Sequence, residues 1–249
     1  MRTDLSPHVR IRAELSQRID VQRRTVLSAQ GASVEMVEHI LAACAGMGVD
    51  NCEIWADGAE MPGCDGSSLA FVEALLQAGL QDQEAPRPQF VVENVVRVGD
   101  DRAWIEARPP DHFGLSLLYG LDYGPDGAIG SQTIELAVNS DSFRCRLAPA
   151  RTFLLQEEAD WLRSRGLGKR VSYQDVLVFD RQGPIKNSLR FPDECVRHKA
   201  LDFIGDLALA GCDFVGRFVA YRSGHRLNAE LVRVLLSEQQ SVQPLRKSA

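Results

Sequence analysis

The chain has 249 residues, of which 45% are hydrophobic and 25% charged, and this suffices for one large domain or two modest ones with real cores. A net charge of -6 argues against nucleic acid or an anionic membrane surface as a partner, since both need a basic face. Six cysteines (Cys44, Cys52, Cys64, Cys145, Cys195, Cys212) include no C-x-x-C pair, which excludes a zinc ribbon and predicts buried free thiols. Their reducing compartment, together with the lack of any apolar run near the ~18 residues of a spanning helix, makes the cytoplasm the expected location.

Ser33 precedes Val34, Val37, Ile40, Leu41, Cys44 and Met47 at helical spacing, so an amphipathic helix is predicted over 33–47, closed by Gly46 and Gly48. His39 points off its apolar stripe. Cys52, Ile54 and Ala56 alternate as a strand that ends at the turn pair Asp57-Gly58, and a capped helix runs from Ser67 or Ser68 to Gly79. Residues 81–89 are polar, proline-bearing and aperiodic, and they are read as a linker between a first domain, 1–82, and a second, 88–249.

Strands are predicted at 90–98, 103–108, 113–123 and 132–138, the first two joined by the hairpin-like Gly99-Asp100-Asp101. Helices at 141–147 and 155–165 and a strand at 175–180 come next. A charged helix opens at Pro192 and runs to about Ala210. A last strand, 215–221, leads through Ser223-Gly224-His225 into a helix carrying Leu227, Leu231, Val234 and Leu235. The pattern is α+β.

On the charged helix, His198, Asp202 and Asp206 recur every fourth residue and share one face. His198, Asp202 and, from the first half, His39 offer two nitrogens and a carboxylate, a donor set suited to zinc or iron(II) rather than calcium or magnesium. Three protein ligands leave a position open for a water that loses its proton near neutral pH. Glu38 beside His39 is a candidate general base, Lys199 a candidate oxyanion partner, and His225 a candidate general acid held by Asp206. Asp202 and Asp206 also read as a solvated face, or as helix partners of Arg197 and Lys199.

Several blocks carry a family resemblance: Val37-Glu38-His39-Ile40-Leu41-Ala42-Ala43 with Gly46-Met47-Gly48-Val49-Asp50-Asn51; Asp65-Gly66-Ser67-Ser68; Ala148-Pro149-Ala150-Arg151-Thr152-Phe153; Leu189-Arg190-Phe191-Pro192-Asp193-Glu194; Arg197-His198-Lys199-Ala200-Leu201-Asp202; and Ser223-Gly224-His225. In this order they resemble the UDP-3-O-acyl-N-acetylglucosamine deacetylases, zinc enzymes of lipid A biosynthesis. The resemblance implies zinc on His39, His198 and Asp202, Glu38 as general base, His225 as general acid and Asp206 as its partner. It implies Lys199 and Thr152 near the scissile amide and Phe153 among the substrate-binding residues. The implied fold is two helix-on-sheet domains packed face to face with the metal between them. The implied reaction removes the 2-acetamido group of a UDP-linked acylated amino sugar as acetate.

Two stretches depart from the family pattern. Arg2-Thr3-Asp4-Leu5 resembles the middle of relatives' first domain, which predicts missing strands and a homo-oligomer to cover the exposed edge. Gly168-Lys169-Arg170-Val171-Ser172-Tyr173-Gln174-Asp175 replaces the segment that helps form the relatives' acyl passage, and its charges suit an apolar tunnel poorly. Alternatives are therefore a paralogous deacetylase for a different N-acylated sugar, or a non-catalytic relative that binds a sugar nucleotide.

Overall fold

Alternating apolar residues in the middle of the chain form its principal sheet, with strand order β5 (Val96–Gly99), β6 (Trp104–Arg108), β11 (Asp213–Tyr221), β7 (Leu115–Asp122), β8 (Ser131–Val138). The structure is a computed structural model and describes residues 1–166 and 172–242. Val96 and Val98, Ile105 and Ala107, Leu117, Tyr119 and Leu121, and Ile134 and Leu136 are buried, two apart on each strand as the pleat requires. The β5–β6 hairpin forms where expected: Gly99 takes φ +100, and Asp100 Oδ1 accepts from the Arg102 and Ala103 amides at 2.8 and 3.0 Å. β4 (Gln89–Val91) pairs in parallel with the start of β11. The single strand expected over 90–98 is thus two, broken at Glu93-Asn94, where the asparagine favours a turn.

Helix α5 (Glu194–Leu207) lies over β7 and β8, and α6 (His225–Val242) over β5 and β6, which buries the apolar face of the sheet. α5 starts two residues after Pro192 and ends in a 3-10 turn, Ala208–Ala210, close to the expected bounds. On the other side of α5 packs α1 (Glu38–Gly46). A Cβ on Gly205 would come within 2.1 Å of the Glu38 carbonyl oxygen, so this glycine sets how closely the two helices approach.

The helix expected over 33–47 is only partly helical. Residues 32–35 are a strand, β3 (Ala32–Glu35), paired antiparallel with β2 (Val26–Ala29), which pairs in turn with β1 (Arg18–Ile19). The β2–β3 link is the two-residue turn Gln30-Gly31, both at positive φ (51 and 79), a hairpin signal stronger than the helical spacing of Val34 and Val37. Met36 at φ 59 then separates strand from helix. Among the described residues the strand expected at 52–56 reduces to one parallel bridge, Arg2 with Ala56.

Helix α2 (Leu69–Ala78) stops at Gly79, as expected. The helix expected at 141–147 is a short α3 (Ser140–Ser142) continued by a π turn, Phe143–Leu147. α4 (Gln156–Ser164) matches its prediction, and β10 (Leu177–Phe179) pairs in parallel with β9 (Phe153–Leu155), a strand too short for its periodicity to be read. The altered segment at 168–175 lies partly outside the described residues. Cys44 and Cys195 are buried, but Cys52, Cys64 and Cys145 are exposed, which corrects the expectation of uniformly buried thiols. Among the described residues no helix is long and apolar enough to cross a membrane.

Candidate metal and catalytic site

Three helices converge on one buried cluster. α1 supplies Glu38 and His39 in its first turn, α5 supplies His198, Lys199, Asp202 and Asp206 along one face, and α6 supplies His225 as its first residue. His39 Nε2 and His198 Nε2 lie 3.6 and 3.4 Å from Asp202 Oδ1. Donors at about 2.0–2.1 Å from a tetrahedral ion stand roughly 3.3 Å apart, so both separations have the size of ligand-to-ligand edges. All three ligand atoms fall within 4.8 Å of one another. Asp202 Oδ1 is buried with no hydrogen-bond partner, a costly state that a cation between it and the two imidazoles relieves. The residues fit a metal cofactor.

The groups behind these three side chains orient them as metal binding would require. The Ala150 carbonyl lies 3.1 Å from His198 Nδ1, which places the proton there and leaves the Nε2 lone pair toward Asp202. Burial holds His198 down at about 4, so its ring stays neutral, the form that ligates. Burial opposes ionisation of Asp202 as well, but His198 and Lys199 outweigh it and keep this carboxyl well below its ordinary range. Lys199 Nζ donates to Asp202 Oδ2 at 2.7 Å, and this carboxylate raises the ammonium pKa against the cost of burial. The Lys199 side chain keeps 19% exposure and so reaches the edge of the cluster.

On the other side stands His225. Its Nδ1 is 2.8 Å from Asp206 Oδ2, and its Nε2 is 4.0 Å from Asp202 Oδ2. Burial alone would discharge this imidazole, but Asp206 and then Asp202 lift it to about 9. Asp206 has two further partners: Asn228 Nδ2 donates to Oδ2 at 2.7 Å and the Thr25 hydroxyl to Oδ1 at 2.6 Å. The Thr25 amide also donates to Glu38 Oε2 at 3.0 Å. One residue therefore braces both the carboxylate and the Asp–His pair. Burial raises the Glu38 pKa, the direction a proton acceptor near neutrality needs.

The β9 side forms the rim. Arg151 makes a bidentate pair with buried Glu194 (Nε to Oε1 2.8 Å, Nη2 to Oε2 3.1 Å), which anchors the backbone on both sides of it. That places the Ala150 carbonyl against His198, and Phe153 edge-on to the same ring at 6.3 Å between centroids. Thr152 is half-buried and tied by its backbone, donating to the Gly66 carbonyl at 2.7 Å and accepting from the Leu177 amide at 3.0 Å.

The structure thus brings His39, His198, Asp202, Glu38, Lys199, His225 and Asp206 into one cluster, with Phe153 against it and Thr152 next in chain. Sequence reasoning missed Thr25 and Asn228. Asn228 had a signal, three residues past His225 on one helix face; Thr25 had none, being 181 positions from Asp206. A groove of about 720 Å³ lined by Leu27, Val34, Ile40 and Leu41 lies apart from the cluster, since none of the site residues lines it.

Gly205→Ala should disturb this arrangement through the backbone. The added methyl meets the Glu38 carbonyl, which is helix backbone and has little freedom to yield, so overpacking of about 1–3 kcal/mol is expected. Urea unfolding should show that loss together with reduced metal occupancy; unchanged stability would mean that the helices separate freely.

The family profile described as UDP-3-O-acyl N-acetylglycosamine deacetylase matches residues 1–237. A protein of Thermosynechococcus vestitus named UDP-3-O-acyl-N-acetylglucosamine deacetylase is 40% identical over 238 residues, which is 96% of this chain and 82% of that protein. Proteins of the same name from Actinobacillus succinogenes and Myxococcus xanthus are 38% and 36% identical, again across 96% of this chain and over 79% and 75% of their own lengths. With a profile that spans nearly the whole chain and relatives this similar, the chain belongs to the UDP-3-O-acyl-N-acetylglucosamine deacetylase family.

Proposed function

We propose that the protein hydrolyses the 2-acetamido group of UDP-3-O-acyl-N-acetylglucosamine, releasing acetate and a free amine, as a zinc-dependent step of lipid A biosynthesis. The observation that carries this reading is the unpartnered Asp202 Oδ1 between two imidazole nitrogens, with a buried carboxylate, Glu38, and an Asp–His pair in the same cluster. His39, His198 and Asp202 would hold the zinc ion, which would supply Lewis acidity and lower the pKa of its water to near neutrality.

Glu38 takes the proton of the attacking water, and its hydrogen bond from the Thr25 amide holds one carboxylate oxygen while the other remains for that task. The Lys199 ammonium and the Thr152 hydroxyl steady the charge that grows on the carbonyl oxygen. His225, charged through its contact with Asp206, delivers a proton to the departing nitrogen. Phe153 gives the substrate an apolar wall beside His198. A protein that only bound a sugar nucleotide would need neither the buried base nor the charged imidazole.

The test is acetate release from UDP-3-O-(3-hydroxyacyl)-N-acetylglucosamine by purified, metal-analysed protein. Turnover should vanish on chelation and return with stoichiometric zinc. Turnover that survives complete metal removal, or a zinc-loaded protein that releases no acetate, would sink the reading.

A further inference from the structure

Outside the metal cluster, Cys44 and Cys52 place their sulfur atoms 3.9 Å apart. Cys44 is buried in the last turn of α1, and Cys52 is exposed on the loop that follows. We propose that these two residues form a reversible thiol pair that reacts with a low-molecular-weight disulfide, such as oxidised glutathione, and closes into an intramolecular Cys44–Cys52 disulfide.

A disulfide bond is about 2.0 Å long, so the sulfurs must approach by roughly 1.9 Å to bond. The two thiols are also unequal. The hydrogen bond from Cys44 brings the Cys52 thiol down to about 7, against the opposing effect of burial, whereas the same contact and then burial raise Cys44. Cys52 is therefore the exposed thiolate that attacks first. Both residues line the groove of about 720 Å³, which gives a small disulfide a route to them.

The chemistry balances. Cys52 thiolate attacks one sulfur of oxidised glutathione; its S–S bond breaks and one glutathione thiolate leaves with the electron pair. Once Cys52 is in the mixed disulfide it no longer acts as the charged acceptor that holds the Cys44 proton. Cys44 then gives its proton to the released thiolate, attacks the Cys52 sulfur and expels the second glutathione. Two protein thiols are oxidised, and one glutathione disulfide is reduced to two thiols.

The full chain, reduced and then incubated with oxidised glutathione, would be alkylated and mapped by peptide mass spectrometry. The expected result is a Cys44–Cys52 cross-linked peptide lighter by two hydrogens, lost again on treatment with dithiothreitol. In Cys44→Ala the adduct should stop at Cys52 as a stable glutathione mixed disulfide, and in Cys52→Ser Cys44 should remain alkylatable. A wild-type chain in which Cys52 keeps its glutathione while Cys44 is alkylated, in which both are alkylated, or in which either links to another cysteine would overturn the proposal. The wild-type map decides even if a variant folds poorly.

Discussion

Glu38→Gln and His225→Gln should each lower kcat by about two to four orders of magnitude, the usual worth of a positioned proton-transfer group. Bound zinc should stay near stoichiometric, because neither residue is a ligand in this reading. Their pH profiles should separate the two roles. Burial raises Glu38, so activity should fall on the acid side as that carboxylate takes up a proton. His225 must be charged to act as an acid. Its pKa is lifted to about 9, so the charged form dominates below that pH and activity falls as pH rises through it. Asp206→Asn removes the contact that outweighs the burial of His225 and should move the alkaline limb toward lower pH. A profile whose alkaline limb stays in place in that variant would remove His225 from the role of acid. Because acid and base serve one reaction, the double variant should be little worse than either single one.

Removing one of the three proposed ligands should do more. Asp202→Ala deletes the acceptor of the Lys199 ammonium and the oxygen that two imidazoles face. Loss of one partner from a largely buried ion pair typically costs about 3–5 kcal/mol, and the metal site is lost with it. The expected result is a protein that unfolds at clearly lower urea concentration, holds little zinc and releases no acetate. Asp202→Asn separates the two effects, since it keeps the shape and an acceptor for Lys199 while removing the ligand's charge; it should recover part of the stability and little of the zinc. Full zinc occupancy in Asp202→Ala would place the metal elsewhere.

How much of this was legible beforehand depended on how far apart in the chain the deciding partners lie. His198, Lys199, Asp202 and Asp206 share a helix, and a period of 3.6 residues writes their common face directly into the sequence. The alternating strands of the main sheet and the Gly99-Asp100-Asp101 hairpin were readable for the same reason. The helix drawn over 33–47 holds only over Glu38–Gly46; its start is a strand because Val34 and Val37 suit either a strand or a helix, and the choice fell to the pairing of β3 with β2 and to a left-handed Met36. Of the site, residue types and spacing supplied the candidate ligands, base and acid, and the family resemblance added Thr152 and Phe153.

The amino-acid sequence by itself determined the α+β class and the one-faced His/Asp helix, because these follow from local periodicity; the family followed from ordered blocks of matching residues. Only the tertiary structure decided that His39 meets α5 across Gly205, that Thr25 braces Glu38 and Asp206 together, and that Cys44 faces Cys52. It also decided that Asp202 Oδ1 is left without a partner and that His225 is held charged. Those features depend on which groups lose water and which charges they meet in its place, and side chains far apart in the chain share a dielectric environment only once it has folded.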